Sequence, residues 1–124
     1  MFAVGCEKDD DHDHDEDNHV EITIDEPTDG GTISMADCED VHIHIDFVAS
    51  VENHQISVVL HPEGDIEDKI IDYSEHDHDK EIPFEQGVDL CSYEAGTCFH
   101  LEVEACEDHD CENKATAEAE FCLQ

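Results

Sequence analysis

Arginine is absent from this chain, and lysine occurs only at Lys8, Lys69, Lys80 and Lys114, against 37 Asp and Glu residues and a formal net charge of -33. That scarcity excludes nucleic acid as a partner, because phosphate has to be met by Lys and Arg. Anionic lipid headgroups are excluded by the same sign. No window carries an apolar stripe of helical period, so helices are not expected to build the core. Catalytic signatures are missing too: there is no Gly-x-Ser-x-Gly elbow, no His-Glu-x-x-His helix, no phosphate-binding glycine loop and no dinucleotide fingerprint. Ser34, Ser50, Ser57, Ser74 and Ser92 have no nearby His-Asp arrangement, and a non-enzymatic protein is expected. No Cys-x-x-Cys spacing occurs, which argues against a zinc knuckle or a thioredoxin-like site.

What is present divides the 124 residues into one domain and a leader. Residues 7–19 are almost wholly Asp, Glu and His; with nothing apolar to bury, they read as a solvated tether. From Val20 onward, period-two alternation takes over. Val20, Ile22 and Ile24 form one apolar face, then Pro27, Gly30 and Gly31 break the run. Val41, Ile43, Ile45 and Phe47 alternate with His42, His44 and Asp46 in the clearest strand. A third strand runs from Gln55 to Leu60 and ends at the turn His61-Pro62-Glu63-Gly64. Weaker strands follow near Lys69 to Tyr73 and Glu81 to Phe84, separated by a His76-Asp77-His78-Asp79 loop. Phe99 to Ala105 and Ala115 to Phe121 close the chain. About seven short strands with turn signals between them predict an all-β, antiparallel two-sheet sandwich over residues 20–124. The self-repulsion of so acidic a chain destabilises its compact state, so cross-links, bound cations or high salt are expected to hold it.

Two resemblances add to this reading. Ala3-Val4-Gly5-Cys6 followed by Glu7-Lys8-Asp9-Asp10 resembles the lipobox and surface-export signal of Bacteroidota-type bacterial lipoproteins, with Ala3 where Leu is usual. The resemblance implies that residues 1–6 are the remnant of a signal peptide and that Met1 is a late start. It also implies acylation of Cys6, anchorage to the outer membrane through lipid alone, and an extracellular, cell-surface location. Ala95-Gly96-Thr97 leading into Phe99-His100-Leu101-Glu102-Val103, then Asp110-Cys111-Glu112-Asn113-Lys114-Ala115, looks like the end of bacterial Ig-like and fibronectin-III-like surface modules. Pro27 to Gly31 and Asp37 to Phe47 are similar to their start. Glu112 stands where such modules usually carry Gly. Tyr93 resembles the tyrosine that braces a corner of that fold.

With Cys6 acylated, six cysteines remain for disulfides, and six allow fifteen connectivities. If the last hairpin sets Cys106 opposite Lys114, its register sets Cys98 opposite Cys122. Cys106 and Cys111 then staple the hairpin loop, and Cys38 is left to meet Cys91.

The chemistry turns on eleven histidines. His12, His14 and His19 lie in the tether. His42 and His44 share one face of a strand, His76 and His78 share a loop with Glu75, Asp77 and Asp79, and His109 sits between Asp108 and Asp110. Imidazole with carboxylate suits Zn, Cu, Ni or Co, so His42, His44, His76, His78, His12 and His14 are candidate ligands. Outward histidines beside Asp serve equally as solvated polar residues. Calcium suits the carboxylates, but Asp11-His12-Asp13-His14-Asp15 lacks the glycine and closing Glu of an EF-hand loop. Two functions follow. One is a lipid-anchored Ig-like module for adhesion, matrix or filament assembly, through self-association or other surface proteins. The other is an envelope metal-binding lipoprotein that buffers or delivers Zn or Cu. Histidines converging at one place would favour metal handling, and a large self-complementary contact would favour assembly.

Overall fold

The computed structural model describes residues 18–124; Cys6, His12 and His14 lie outside the described residues. The elements are β1 (Val20–Glu26), β2 (Gly31–Ile33), a 3-10 helix (Met35–Asp40), β3 (Val41–Ala49), β4 (Gln55–Pro62), β5 (Ile71–His76), β6 (Glu81–Val88), β7 (Cys98–Cys106) and β8 (Lys114–Leu123). One sheet has the order β1-β3-β6, the other β2-β8-β7-β4-β5. With β1, β3 and β6 as strands A, B and E, and β4, β5, β7 and β8 as C, C′, F and G, this is the immunoglobulin-like sandwich. No described helix is long and apolar enough to cross a membrane.

The alternation that predicts β3 decides its register. Val41, Ile43, Ile45, Phe47 and Ala49 are buried while His42 and Val48 face solvent. Across the sandwich, Ile56, Val58 and Leu60 of β4 and Phe99, Leu101 and Val103 of β7 are buried in turn. Each fully buried Val, Leu, Ile or Phe stabilises the fold by about 1.5–3 kcal/mol. Phe99 stacks on its register partner Phe121 with ring centroids 5.3 Å apart. No disulfide joins β3 to β7; Ile45 and Val103 are core side chains of those strands.

Two features depart from expectation. β2 pairs with β8 in parallel, Gly31 to Phe121 and Ile33 to Leu123, so the sandwich is not wholly antiparallel. Its brevity, 3 residues, leaves no alternation to read. Asn18, assigned by composition to the tether, is buried. Its Nδ2 donates to the carbonyls of Glu52 (2.7 Å) and Glu107 (2.8 Å), and its Oδ1 accepts from the amides of Val51 (2.9 Å) and Glu52 (3.2 Å). Four hydrogen bonds replace the apolar contacts that composition searches for.

The disulfides join Cys38 to Cys91, Cys98 to Cys122 and Cys106 to Cys111, the expected pairs, of which hairpin register gave Cys98 with Cys122, and Cys38 with Cys91 was the remainder. Cys98 lies opposite Cys122, and Cys106 opposite Lys114. Tyr93 occupies the corner before β7, edge-on to Phe99 at 5.1 Å. Its hydroxyl donates to Asp68 Oδ2 (2.8 Å), reaching the connection after β4, where the tyrosine corner uses nearby backbone.

Candidate functional site

Register fixes which connections meet. Val20 pairs with Ala49, Val48 with Glu81, Gln55 with His76, and Cys106 with Lys114. The start of β1 and the connections 50–54, 77–80 and 107–113 therefore share one end of the sandwich. In variable immunoglobulin domains, the loops at one end carry recognition.

Hydrogen bonds lock these connections together. The amide of Asn53 donates to the Asp79 carbonyl (3.2 Å), and its buried Nδ2 donates to the carbonyls of Asp79 (2.8 Å) and Lys80 (3.1 Å). The amide of Asp77 donates to the His54 carbonyl (2.9 Å). In the hairpin between β7 and β8, Asp108 accepts from the Glu112 amide (2.7 Å) and from Asn113 Nδ2 (2.9 Å). Burial works to raise the Asp108 pKa, yet these hydrogen bonds hold it below the ordinary carboxylate value. With the Cys106–Cys111 bond, they shape the loop that carries His109.

The result is a cluster of imidazoles. His54 stands edge-on to His78 (5.3 Å between centroids) and to His109 (6.0 Å). The Nε2 atoms of His76 and His78 are 2.9 Å apart. Glu52 Oε2 lies 3.1 Å from His78 Nδ1 and 3.7 Å from His54 Nε2. His54 is 3 % exposed, and neither of its ring nitrogens has a hydrogen-bond partner among the described residues.

The pair His42 and His44 behaves differently. Both point off the same face of β3, with centroids 6.2 Å apart, but each is turned to its own carboxylates. His42 Nδ1 meets Glu26 Oε1 at 2.6 Å, and that hydrogen bond, with lesser help from the charge of Glu26, raises the His42 pKa. His44 lies 3.6 Å from both Asp25 and Asp46 and 3.7 Å from Glu85. A third group surrounds His100, whose Nε2 meets Glu118 Oε1 at 3.0 Å and whose Nδ1 lies 3.6 Å from Glu120. His100 stacks on the buried His61 (5.6 Å). A hydrogen bond that the protonated Glu120 carboxyl donates to Glu63 raises the pKa of Glu120.

Of the residues singled out from sequence, the structure thus brings His76, His78 and His109 together and leaves His42 and His44 facing separate carboxylates. His54, Glu52, His61 and His100 were not singled out. The signal for His54 was parity: counted back from Ile56, Val58 and Leu60, it falls on the inward face.

No protein-family model matches this chain, and no curated protein does. Among solved structures, murine CRIg is similar to it at 12% identity, over 86% of this chain and 97% of that one, with a TM-score of 0.42. The fold is therefore taken from strand order and register rather than from likeness.

Proposed function

We propose that this chain is a non-enzymatic metal-binding module of the cell envelope, held to the membrane by lipid on Cys6 and taking a transition-metal ion at the histidine-rich end of its sandwich. One observation carries the reading: connections distant in sequence deliver His54, His76, His78 and His109 to one place. Scattered solvated histidines have no reason to converge. The assembly reading calls for a large self-complementary contact. The exposed large apolar side chains among the described residues are Val48, Val51 and Ile66, and Ile66, in the connection after β4, lies at the end opposite the other two.

Isothermal titration of the oxidised chain with Zn, Cu, Ni and Ca tests the proposal. The expected result is one submicromolar equivalent of Zn or Cu, lost when the chain is reduced, its thiols are blocked by alkylation so that they cannot bind the ion, and it is unfolded in urea. Calcium should bind only weakly. An equivalent equally tight in the unfolded chain would assign binding to composition and refute the module. Intact mass of membrane-derived material tests the anchor: acyl mass on Cys6 is expected, and an unmodified Cys6 thiol would overturn it.

A further inference from the structure

The geometry points to a defined ion site made by Glu52 Oε2, His54 Nε2 and His78 Nδ1, with His76 as the residue that orients His78; this assignment rests on the metal-binding reading above. These three side chains offer ligand atoms that all lie within 4.8 Å of one another. The measured separations from Glu52 Oε2, 3.1 and 3.7 Å, bracket the roughly 3.3 Å between ligands on a tetrahedral ion with bonds near 2.0–2.1 Å.

His54 supplies independent support. A buried polar group without a hydrogen bond costs about 1–3 kcal/mol, and His54 leaves both ring nitrogens without one among the described residues. An ion on Nε2 satisfies that atom. The ring is buried, on the residue just before β4 whose parity continues inward through Ile56, Val58 and Leu60. Its carbonyl is also tied to the Asp77 amide.

His76 completes the arrangement from outside. Its Nε2 lies 2.9 Å from His78 Nε2, so that when an ion replaces the Nδ1 proton now facing Glu52, His78 can donate from Nε2 to His76 and present the lone pair of Nδ1 to the ion. A ligating histidine ordinarily uses its second nitrogen in this way, and losing such an outer partner costs about 10–100-fold in affinity. Glu52 is held in turn through its backbone, whose amide and carbonyl both bond to Asn18. Two nitrogens and one oxygen suit Zn, Cu, Ni or Co and not calcium, which takes 6–8 oxygens. Three protein ligands leave one tetrahedral position open. That open position marks an exchangeable ion rather than a sealed structural one.

Titration of the full oxidised chain with Co, followed by its visible ligand-field absorption, reads affinity and coordination together, and competition with Zn gives the Zn affinity. The expected result is one equivalent with the intense bands of low-coordinate Co. His54→Gln, His78→Gln and Glu52→Gln should each weaken it at least about 100-fold, and His76→Gln about 10–100-fold. The double variant His42→Gln/His44→Gln should leave it unchanged. Because His54 is buried and its replacement can unfold the chain, His78→Gln and Glu52→Gln, both at solvent-reached positions, decide the matter with circular dichroism as the folding control. A tight equivalent that survives in folded His78→Gln and Glu52→Gln overturns this assignment and leaves the metal-binding reading standing. Loss of the equivalent in His42→Gln/His44→Gln moves the site to the face of β3. No tight equivalent in the parent chain overturns the assignment and the reading together.

Discussion

Removing the disulfides one pair at a time, by paired Cys→Ala substitution, should rank them by the length of chain each one closes. The sequence separations are 53 for Cys38–Cys91, 24 for Cys98–Cys122 and 5 for Cys106–Cys111. A cross-link stabilises mainly by restricting the unfolded chain, and the loop-closure expression gives about 4, about 3.5 and about 2 kcal/mol respectively. Packing does not reverse the order. Cys38 and Cys106 are both buried, so each of the two extreme variants loses one buried sulfur and that contribution largely cancels in their difference. The assay is urea unfolding followed by far-ultraviolet circular dichroism at fixed salt, with stability from linear extrapolation. Finding that Cys106→Ala/Cys111→Ala costs as much as Cys38→Ala/Cys91→Ala would refute the reasoning, and would show that the hairpin bond acts on the native state instead.

Other perturbations test separate parts of the structure. Asn18→Ala removes the partner of two amides and two carbonyls and should cost about 1–3 kcal/mol in the same urea assay, far more than a substitution in a solvated tether would. Tyr73 and Tyr93, the two tyrosines of the chain, are both pushed up to about 12, Tyr73 by its hydrogen bond to Glu75 and Tyr93 by burial and its bond to Asp68. Absorbance at 295 nm should therefore show phenolate in the folded protein only well above the midpoint near 10 of the unfolded chain. The stability these groups confer should be complete below about pH 10 and lost as pH rises toward about 12. His42, raised by Glu26, should titrate by NMR above its usual value near 6.5, and Glu26→Gln should bring it down. Its contribution is present below that usual value and disappears as pH rises through the folded midpoint.

What could be read from the sequence, and what could not, follows from the range of the forces involved. β3 was legible because Val41 to Phe47 alternates without a break, and a face that is buried enforces period two. The Cys98–Cys122 bond followed from the same period in the last hairpin, whose register is determined once it is placed, and the other two pairs from the cysteines it left. β2 escaped because parallel pairing of Gly31-Thr32-Ile33 with β8 depends on where the chain crosses between sheets after Pro27. Asn18 escaped because its burial comes from hydrogen bonds to residues at 51, 52 and 107, none of which has a local signature. The same holds for the site. His76 and His78 were visible as a pair, but their meeting with His54 depends on Asn53 bonding to the carbonyls of Asp79 and Lys80. The β3 histidines show the converse limit. Spacing placed them on one face, as the structure does, but spacing cannot tell that Glu26 and Asp25 take His42 and His44 in different directions.

On the metal-binding reading, carboxylates and imidazoles have different tasks, and their placement matches that division. The charge of -33 raises the concentration of every cation near the surface, over a distance of about 10 Å at 0.1 M salt. It makes little distinction among cations, because exposed Asp and Glu serve Ca and Mg as readily as Zn. Discrimination requires nitrogen ligands held at fixed separation, and these are found where the connections are pinned by Asn53, Asp77 and Asn18. His44 and His100 lie within the cation-gathering surface, and the compact ligand groups around them, with Asp25 and Asp46 and with Glu63 and Glu120, hold one nitrogen each. The group at Glu52 holds two, from His54 and His78. The acidic surface thus gathers ions, and the end of the sandwich selects among them.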